Sequence, residues 1–486
     1  MSILSLTSRA TVETCVQFAR TGQRAWTTHS RGDRAGVIKR VARILAREAE
    51  VMAAAITSAT DRSPRDVWSA ELIPTLDALD WLAHGGSAAL APRTLGRSKL
   101  QWYFRAVRHH LTWEPHGVVG VVTPATAALF LSVPQIAAAL LAGNAVVWKP
   151  APSVGALAFY TASLFYRAGL PPALLQVVTG GPEAARDLVR AGVDKLHFTG
   201  GSDGGLALYR QQAIQGRPAV LELSGRHTSV LLHPAPVGLA VRGLVWAKRA
   251  NRGRHCLSVQ LVLTEQPIVE PLIASLETAL RTQVTAREAA PCPAEHARLS
   301  ALVDDAIARG ARYVGGSLDD VLVLAGVHSG MRVVDEEVQG PILGVATVEA
   351  GERAVEWINS RPYRLSASIW ADDLNRARRL AATLDVGQVW INDQLHPAAQ
   401  PEVTLAGRGA SGFGASRGEV GLMEMVQAKV VSETRLGHHR HYDDTSPGVV
   451  DLLRGTVRLR FAKGPRERLA AAGFLARAVM RVLRRR

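Results

Sequence analysis

The residues that can do chemistry gather in two stretches, Asn251-Arg-Gly-Arg-His-Cys256 and Leu221-Glu-Leu-Ser-Gly225, with Glu222 34 positions before Cys256. A lone cysteine in an apolar setting is usually a small core residue. This one follows a glycine-containing turn, has Arg252, Arg254 and His255 beside it, and leads into the apolar run Val259–Leu263. Positive neighbours lower a thiol's pKa, and the thiolate is the form that attacks. A carboxylate brought to the same pocket would serve as base for a later attack by water. Residue types alone leave a reactive Cys256 and a structural one both open.

Bringing Glu222 up to Cys256 needs a scaffold. From His116 to Leu231, β-rich apolar runs recur at Val118–Val122, Ala145–Trp148, Leu175–Val178, Lys195–Phe198 and Val220–Leu223. Helical segments separate them at Phe130–Leu141, Gly155–Ala168, Glu183–Ala191 and Gly204–Gln212. Alternation at this period predicts an α/β fold, a parallel sheet covered by helices on both faces. Ligands of such sheets bind at the carboxyl ends of the strands. The turns there are Thr123-Pro-Ala-Thr126, Lys149-Pro-Ala-Pro152 and Thr199-Gly-Gly-Ser202. Thr199–Gly205 (TGGSDGG) follows a strand and opens a helix, where backbone N–H groups hold a pyrophosphate. A plain tight turn reads the same way, and the order is not the common GxGxxG.

A second alternating region covers Gln260–Asn392, with helices expected at Val269–Arg281, Ser300–Arg309 and Leu374–Leu384 and strands at Val321–Leu324, Ser366–Trp370 and Gln388–Ile391. Ahead of both regions, residues 10–60 and Leu72–His84 read as helical, with Val37, Val41, Ile44, Leu45, Val51 and Met52 at helical spacing. Ser98–Thr112, rich in aromatic and basic residues without helical phase, reads as a hairpin, exposed or in an interface.

Length and composition set the bounds. At 486 residues the chain exceeds one hydrophobic core, so two or three domains are expected. Cys15, Cys256 and Cys292 are odd in number and far apart, with no disulfide framework and no zinc spacing. That usage fits a reducing compartment, the cytoplasm. The start, Met1–Ala19, lacks the charged-then-apolar order of a signal peptide. Gly117–Trp148 carries no charge, but Pro124, Pro134 and Gly143-Asn144 cut it too short to span a bilayer. Net charge is +15, of which residues 434–486 contribute +9 through 13 Lys+Arg against 4 Asp+Glu.

With Cys256, Glu222 and the strand order laid out, the chain resembles the aldehyde dehydrogenase superfamily from about residue 15 to 432. The motifs that carry the resemblance agree in order and spacing. They are Ala142-Gly-Asn-Ala-Val-Val-Trp-Lys-Pro150, Phe198-Thr-Gly-Gly201, Leu221-Glu-Leu-Ser-Gly225 and Asn251-x-Gly-x-x-Cys256. Glu336-Glu-Val-Gln-Gly-Pro341, Leu365-Ser-Ala-Ser368, Gly387-Gln-Val-Trp-Ile-Asn392 and Ser411-Gly-Phe-Gly414 follow.

The resemblance implies a Rossmann-type parallel-sheet cofactor domain (1–98 and 114–225), an α/β catalytic domain (226–405) and a small oligomerisation hairpin and strand (99–113 and 426–433), before a basic extension (434–486). It implies oxidation of an aldehyde to a carboxylic acid with NAD or NADP. Cys256 matches the nucleophile, forming a thiohemiacetal and then a thioester, and Glu222 the base that activates the hydrolytic water. Lys149 matches the lysine on the cofactor ribose and Glu337 the carboxylate on the nicotinamide ribose. Gly200 and Gly205 line the pyrophosphate turn, with Thr123, Thr199 and Gly201 in the same cofactor-binding set. A homodimer or homotetramer follows from the aligned strand Val426–Ser432.

Four positions depart from the family pattern. Thr126 stands where an asparagine supplies the oxyanion hole, and loss of one such donor costs about 10²–10³ in rate. Pro152 replaces a glutamate that binds the adenosine ribose, which makes NADP admissible; Ala125 also replaces an aromatic. Arg254 stands in place of a glutamine, either holding Cys256 as thiolate or serving an interface. Gln339 replaces an aromatic and loosens the nicotinamide wall. Two readings compete: an active oxidoreductase with an atypical oxyanion hole, and a catalytically weak relative kept as a binding or assembly subunit. Retention of both Cys256 and Glu222 argues for the first.

The tail adds a third question. Gly437–Ser446, with His438, His439 and His441, reads as a solvated loop rather than a metal site, and Val449–Phe461 as a strand or short helix. Arg466–Arg486 reads as a helix with Leu469, Ala472, Ala476, Val479 and Leu483 on one face and Arg477, Arg481, Arg484 and Arg485 towards its end. Arginines in a last turn suit the helix dipole. A basic amphipathic helix also fits peripheral attachment to the inner membrane surface or docking on a partner subunit. No nucleic-acid-binding motif accompanies the charge. Membrane attachment would make an apolar long-chain or isoprenoid aldehyde the natural substrate.

Overall fold

Valine-rich runs buried on both faces decide the architecture, because a strand with no wet face needs cover on both sides. In the computed structural model, which describes residues 7–96, 107–282, 292–434 and 447–483, Val118–Val122, Ala145–Lys149 and Lys195–Thr199 are buried along their whole length. They belong to a six-stranded sheet ordered Gly412–Phe413, Ala219–Glu222, Lys195–Thr199, Val118–Val122, Ala145–Lys149, Leu175–Val177. All pairs are parallel except the edge pair made by Gly412–Phe413. Strand order reverses direction between Val118–Val122 and Lys195–Thr199, so a crevice opens beyond their carboxyl ends. The turns Thr123–Thr126 and Thr199–Ser202 stand at that crevice.

A seven-stranded sheet follows, ordered Arg312–Gly316, Leu322–Ala325, Ile342–Val348, Val259–Glu265, His227–Leu231, Ser366–Trp370, Gln388–Ile391. It is parallel apart from its first pair. Both sheets lie in one compact unit, Met1–Leu90 with Pro115–Gln427. The second unit, Ala91–Glu114 with Ala428–Arg486, carries a three-stranded sheet ordered Arg93–Thr94, Val107–Pro115, Val426–Thr434. It also carries two helices, Pro447–Phe461 and Pro465–Leu483.

Most strand boundaries agree with the sequence pattern to within a residue. Several helix starts differ, for local reasons. The helix expected from Phe130 begins at Val133, after a run of turns, with Pro134 in its first turn. The one expected from Ser300 begins at Pro293, since proline suits the first helical position. Strand His227–Leu231 and helices Val237–Arg249 and Gly351–Asn359 went unread. Val449–Phe461 resolves as helix. Uncharged Gly117–Trp148 divides into strand, turns, helix and strand, and among the described residues no helix is long and apolar enough to cross a membrane. Of the hairpin expected over Ser98–Thr112, residues 98–106 lie outside the described residues, as do His438, His439, His441, Arg484 and Arg485.

One short segment reaches both loops that matter below. The helical stretch around Leu72–His84 is entered through a π turn, Trp68–Leu72, which carries Glu71. Glu71 is fully buried, paired with Arg62 at 2.6 Å. Its other carboxylate oxygen accepts the N–H groups of Leu129 at 2.7 Å and Phe130 at 3.4 Å. Two residues before that turn, Asp66 accepts the N–H of Asn251 at 2.8 Å. A buried pair stripped of one member leaves the other charge uncompensated, which costs about 3–5 kcal/mol. Glu71→Ala is expected to lower stability by about that amount, read as a fall in the urea midpoint; an unchanged midpoint would show that the pair carries no structural weight.

Candidate active site

Glu222 ends its strand at the crevice, opposite Thr199 on one neighbour and Gly412 on the other. Its carboxylate is fixed from two sides. The Thr199 hydroxyl donates to Oε2 at 2.8 Å, and the Ser416 hydroxyl donates to Oε1. The next motif residues explain why the nucleophile loop can come so near. A Cβ on Gly225 would collide with the carbonyl oxygen of Cys256, so only glycine lets the two backbones touch.

The loop itself turns back sharply. Asn251, Arg252 and Gly253 have φ of 47°, 53° and 68° in succession. Left-handed non-glycine residues cost of order 1–3 kcal/mol each unless their surroundings hold them. Here Asp66 holds the Asn251 N–H, and the Asn251 side chain donates to the Arg254 carbonyl at 3.1 Å. Buried Lys248 donates to Ser258 at 3.3 Å and to the Val259 carbonyl at 2.9 Å on the far side of Cys256. At Gly253 the loop meets the backbone of Gly340, which places the Glu336–Pro341 motif alongside.

Electrostatics at the sulfur run against the sequence expectation. Arg254 is paired with Glu295 at 3.5 Å, and burial drives His255 down to about 3, so it is neutral. Neither lowers the Cys256 thiol. Burial, then the Glu222 carboxylate, pushes that thiol up to about 12, with Arg417 opposing. Cys256 nonetheless keeps part of its surface open. The residue packs against the apolar cluster Leu257, Leu365, Trp390, Ala398 and Leu405, which accounts for the burial of its sulfur. Burial also raises the Glu222 carboxyl, against Arg417 and the Thr199 hydroxyl. A carboxylate with a raised pKa is the better base near neutrality.

Arg417 was not read from the sequence. It lies in a Ser-Arg-Gly stretch with no catalytic signature, and only tertiary packing turns it inward, 8% exposed.

The remaining predicted residues divide by position. Lys149 ends its strand 6% exposed, burial lowers its pKa, and its ammonium has no partner among the described residues. Gly201 caps the helix Ser202–Ile214, and Gly205 packs so closely on Phe198 and Leu223 that a side chain would clash. The Ser202 hydroxyl, buried in the first turn of that helix, has no hydrogen-bond partner. An unpaired ammonium and an orphaned hydroxyl beside a helix N-terminus suit the ribose and pyrophosphate of a dinucleotide. Gly200 gives its N–H to the Glu222 carbonyl at 3.0 Å, and Thr123 accepts from Trp148 at 2.8 Å, so both already have partners. Glu337 is half-buried, accepts from Gln339 at 2.8 Å and acts electrostatically on Cys256. Thr126 is half-buried on the loop that Glu71 pins.

Comparison with known proteins agrees with this geometry. The Aldehyde dehydrogenase family matches residues 3–431. The 4,4'-diapolycopene aldehyde oxidase of Methylomonas sp is 32% identical over 371 residues, 73% of this chain and 68% of that protein. Among solved structures, Mycobacterium tuberculosis aldehyde dehydrogenase complexed with NAD+ superposes with a TM-score of 0.81 at 25% identity, over 88% of this chain and 91% of that one. The NADP-dependent glyceraldehyde-3-phosphate dehydrogenase of Bacillus halodurans C-125, complexed with NADP, gives 0.80 at 25% identity, over 88% and 92%.

A thiol held near 12 is charged in only a small fraction at neutral pH, and that fraction grows about tenfold per pH unit. Alkylation of Cys256 by iodoacetamide in the ligand-free protein should therefore be slow at pH 7 and climb steadily to pH 10. A plateau reached by pH 8 would place the thiol in a far more polar setting than this one.

Proposed function

Because the chain belongs to the aldehyde dehydrogenase family, we propose that it oxidises an apolar long-chain or isoprenoid aldehyde to the carboxylic acid with NAD or NADP. The observation that carries the reading is a Glu222 carboxylate, held by two hydroxyls, whose charge bears on the partly exposed Cys256 sulfur. The Cys256 sulfur bonds to the aldehyde carbon, giving a thiohemiacetal. The nicotinamide, when bound, supplies the two-electron acceptor. Lys149 and Ser202 hold the dinucleotide by ribose and pyrophosphate, and Glu337 holds the nicotinamide ribose. Glu222 then takes a proton from the water that cleaves the Cys256 thioester, releasing the acid and the thiol.

Exposed Pro152 presents no carboxylate to a 2′-phosphate, which keeps NADP admissible beside NAD. The oxidase relative named for 4,4'-diapolycopene aldehyde supports an isoprenoid substrate. An edge strand, Val426–Thr434, exposes Val430 and Val431 and supports pairing with a second copy in a homodimer or homotetramer. A panel of alkyl, aryl and isoprenoid aldehydes with each nicotinamide should yield reduced cofactor that Cys256→Ala abolishes. Glu222→Gln should cut steady-state turnover by about 10²–10⁴ while leaving acylated Cys256 visible by mass spectrometry. Reduced cofactor no higher than the Cys256→Ala background would favour the binding-subunit reading instead.

The same reading extends to peripheral contact with an anionic membrane. Helices Pro447–Phe461 and Pro465–Leu483 form an antiparallel hairpin, with Asp451 bound to Arg481 at one end and Gly455 against Leu475 midway. Away from that contact, Val450, Leu453, Val457 and Phe461 are exposed at spacings of three and four, and Leu469, Val479 and Met480 are exposed on the second helix. Residues 447–483 carry eight Lys+Arg against two Asp+Glu, so like charge opposes self-pairing and favours anionic lipid. The intact chain should float with phosphatidylglycerol vesicles and a chain ending at Glu433 should not; equal behaviour removes the membrane from the account.

A further inference from the structure

Arg417 enters the site in a costly way. Its φ is 60°, a left-handed conformation held because both flanks are tied down. Ser416 exchanges backbone hydrogen bonds with Leu405 at 2.8 and 2.9 Å, and the Gly418 N–H binds the Pro401 carbonyl at 3.0 Å. The side chain then has nowhere to go but inward. One guanidinium nitrogen donates to the Ala398 carbonyl, and the group lies 5.1 Å from the centre of the Phe130 ring. Its Nε is buried with no hydrogen-bond partner, and among the described residues no carboxylate lies within ion-pair distance of it. Glu222, the nearest candidate, has given its oxygens to Thr199 and Ser416 instead.

A buried guanidinium without a counter-ion is expensive unless its charge is used. Two charges are available for it to act on. Its field bears on both Glu222 and Cys256, while Glu222 and Glu337 press on the sulfur in the opposite sense and His255 beside it is neutral.

We propose that Arg417 is a positioning residue of this site, an unpaired buried cation held where it lets the Cys256 sulfur and the Glu222 carboxylate carry charge in the same pocket. The proposal rests on the pairing of Cys256 with Glu222 set out above. Its test reads the thiol directly, so it succeeds or fails whether or not any aldehyde is turned over.

In a chain carrying Cys15→Ser and Cys292→Ser, Cys256 is the sole thiol, and its alkylation by iodoacetamide is followed by mass spectrometry from pH 7 to 10. Arg417→Met keeps an apolar stem over Phe130, and replacing a buried charge by a packed apolar group is often neutral for stability. Arg417→Gln is the second neutral variant, shorter than arginine, so it can only widen access. Both should alkylate about tenfold or more slowly at each pH, as a shift of one unit or more requires. Arg417→Lys, which keeps the charge without the planar group, should stay within about threefold of the parent. Neutral variants with parental rates and unchanged melting overturn the proposal. Should neither neutral variant fold, the lysine variant decides, and a tenfold slowing there overturns it equally.

Discussion

A thiol and a carboxyl confined in one poorly solvated pocket repel each other once both are charged, and the site is arranged around that repulsion. Separated by a few ångströms in a medium of low effective dielectric, two anions interact far more strongly than in water. The Glu222 carboxylate bears on the Cys256 sulfur, and burial pushes each group towards its neutral form. The carboxylate is offset locally by two hydroxyls, which stabilise charge without adding a second ion. The sulfur has no such donors from its own side chains; the positive charge that acts on it comes from across the pocket, through Arg417.

Holding such a pocket together demands that its walls not relax. The segment Arg62–Glu71 meets that demand by touching two loops at once. Glu71 takes the N–H groups of Leu129 and Phe130, and Asp66 takes that of Asn251. Both loops contain left-handed residues, Ala127 in one and Asn251 and Arg252 in the other. Backbone in that region persists only when its surroundings over-determine it. The acceptors are carboxylates rather than carbonyls, and charge-assisted hydrogen bonds are the stronger kind. A short polar segment that the sequence pattern does not single out thus braces the loop bearing Thr126 and the loop bearing Cys256.

The cofactor side of the crevice is built on a different plan. Lys149 and Ser202 wait with unsatisfied polar atoms, while Thr123 and Gly200 spend theirs on the protein's own frame. Residues drawn from one motif therefore do unlike jobs. Thr199 faces the carboxylate of Glu222, three residues along the turn from the hydroxyl of Ser202. The turn joins the two halves of the site, so a change that reorients Thr199 would disturb both.

Much of this was legible in the residues alone. Uninterrupted runs such as Val118–Val122 announce strands buried on both faces, whereas the close approach of the Cys256 carbonyl to Gly225 shows only in the fold. The family resemblance singled out Cys256 and Glu222, because the motifs that carry them are short and local. Charge at the sulfur was not legible in that way. Arg254 is next to Cys256 in sequence yet is drawn off to Glu295, whereas Arg417 is 161 positions away and points in. Proximity in sequence says which groups are near; it does not say which way a side chain turns or how much water remains around it. Local pattern determined the elements and the candidate pair, and tertiary packing alone decided which cation bears on it, since burial and direction are properties of the folded whole.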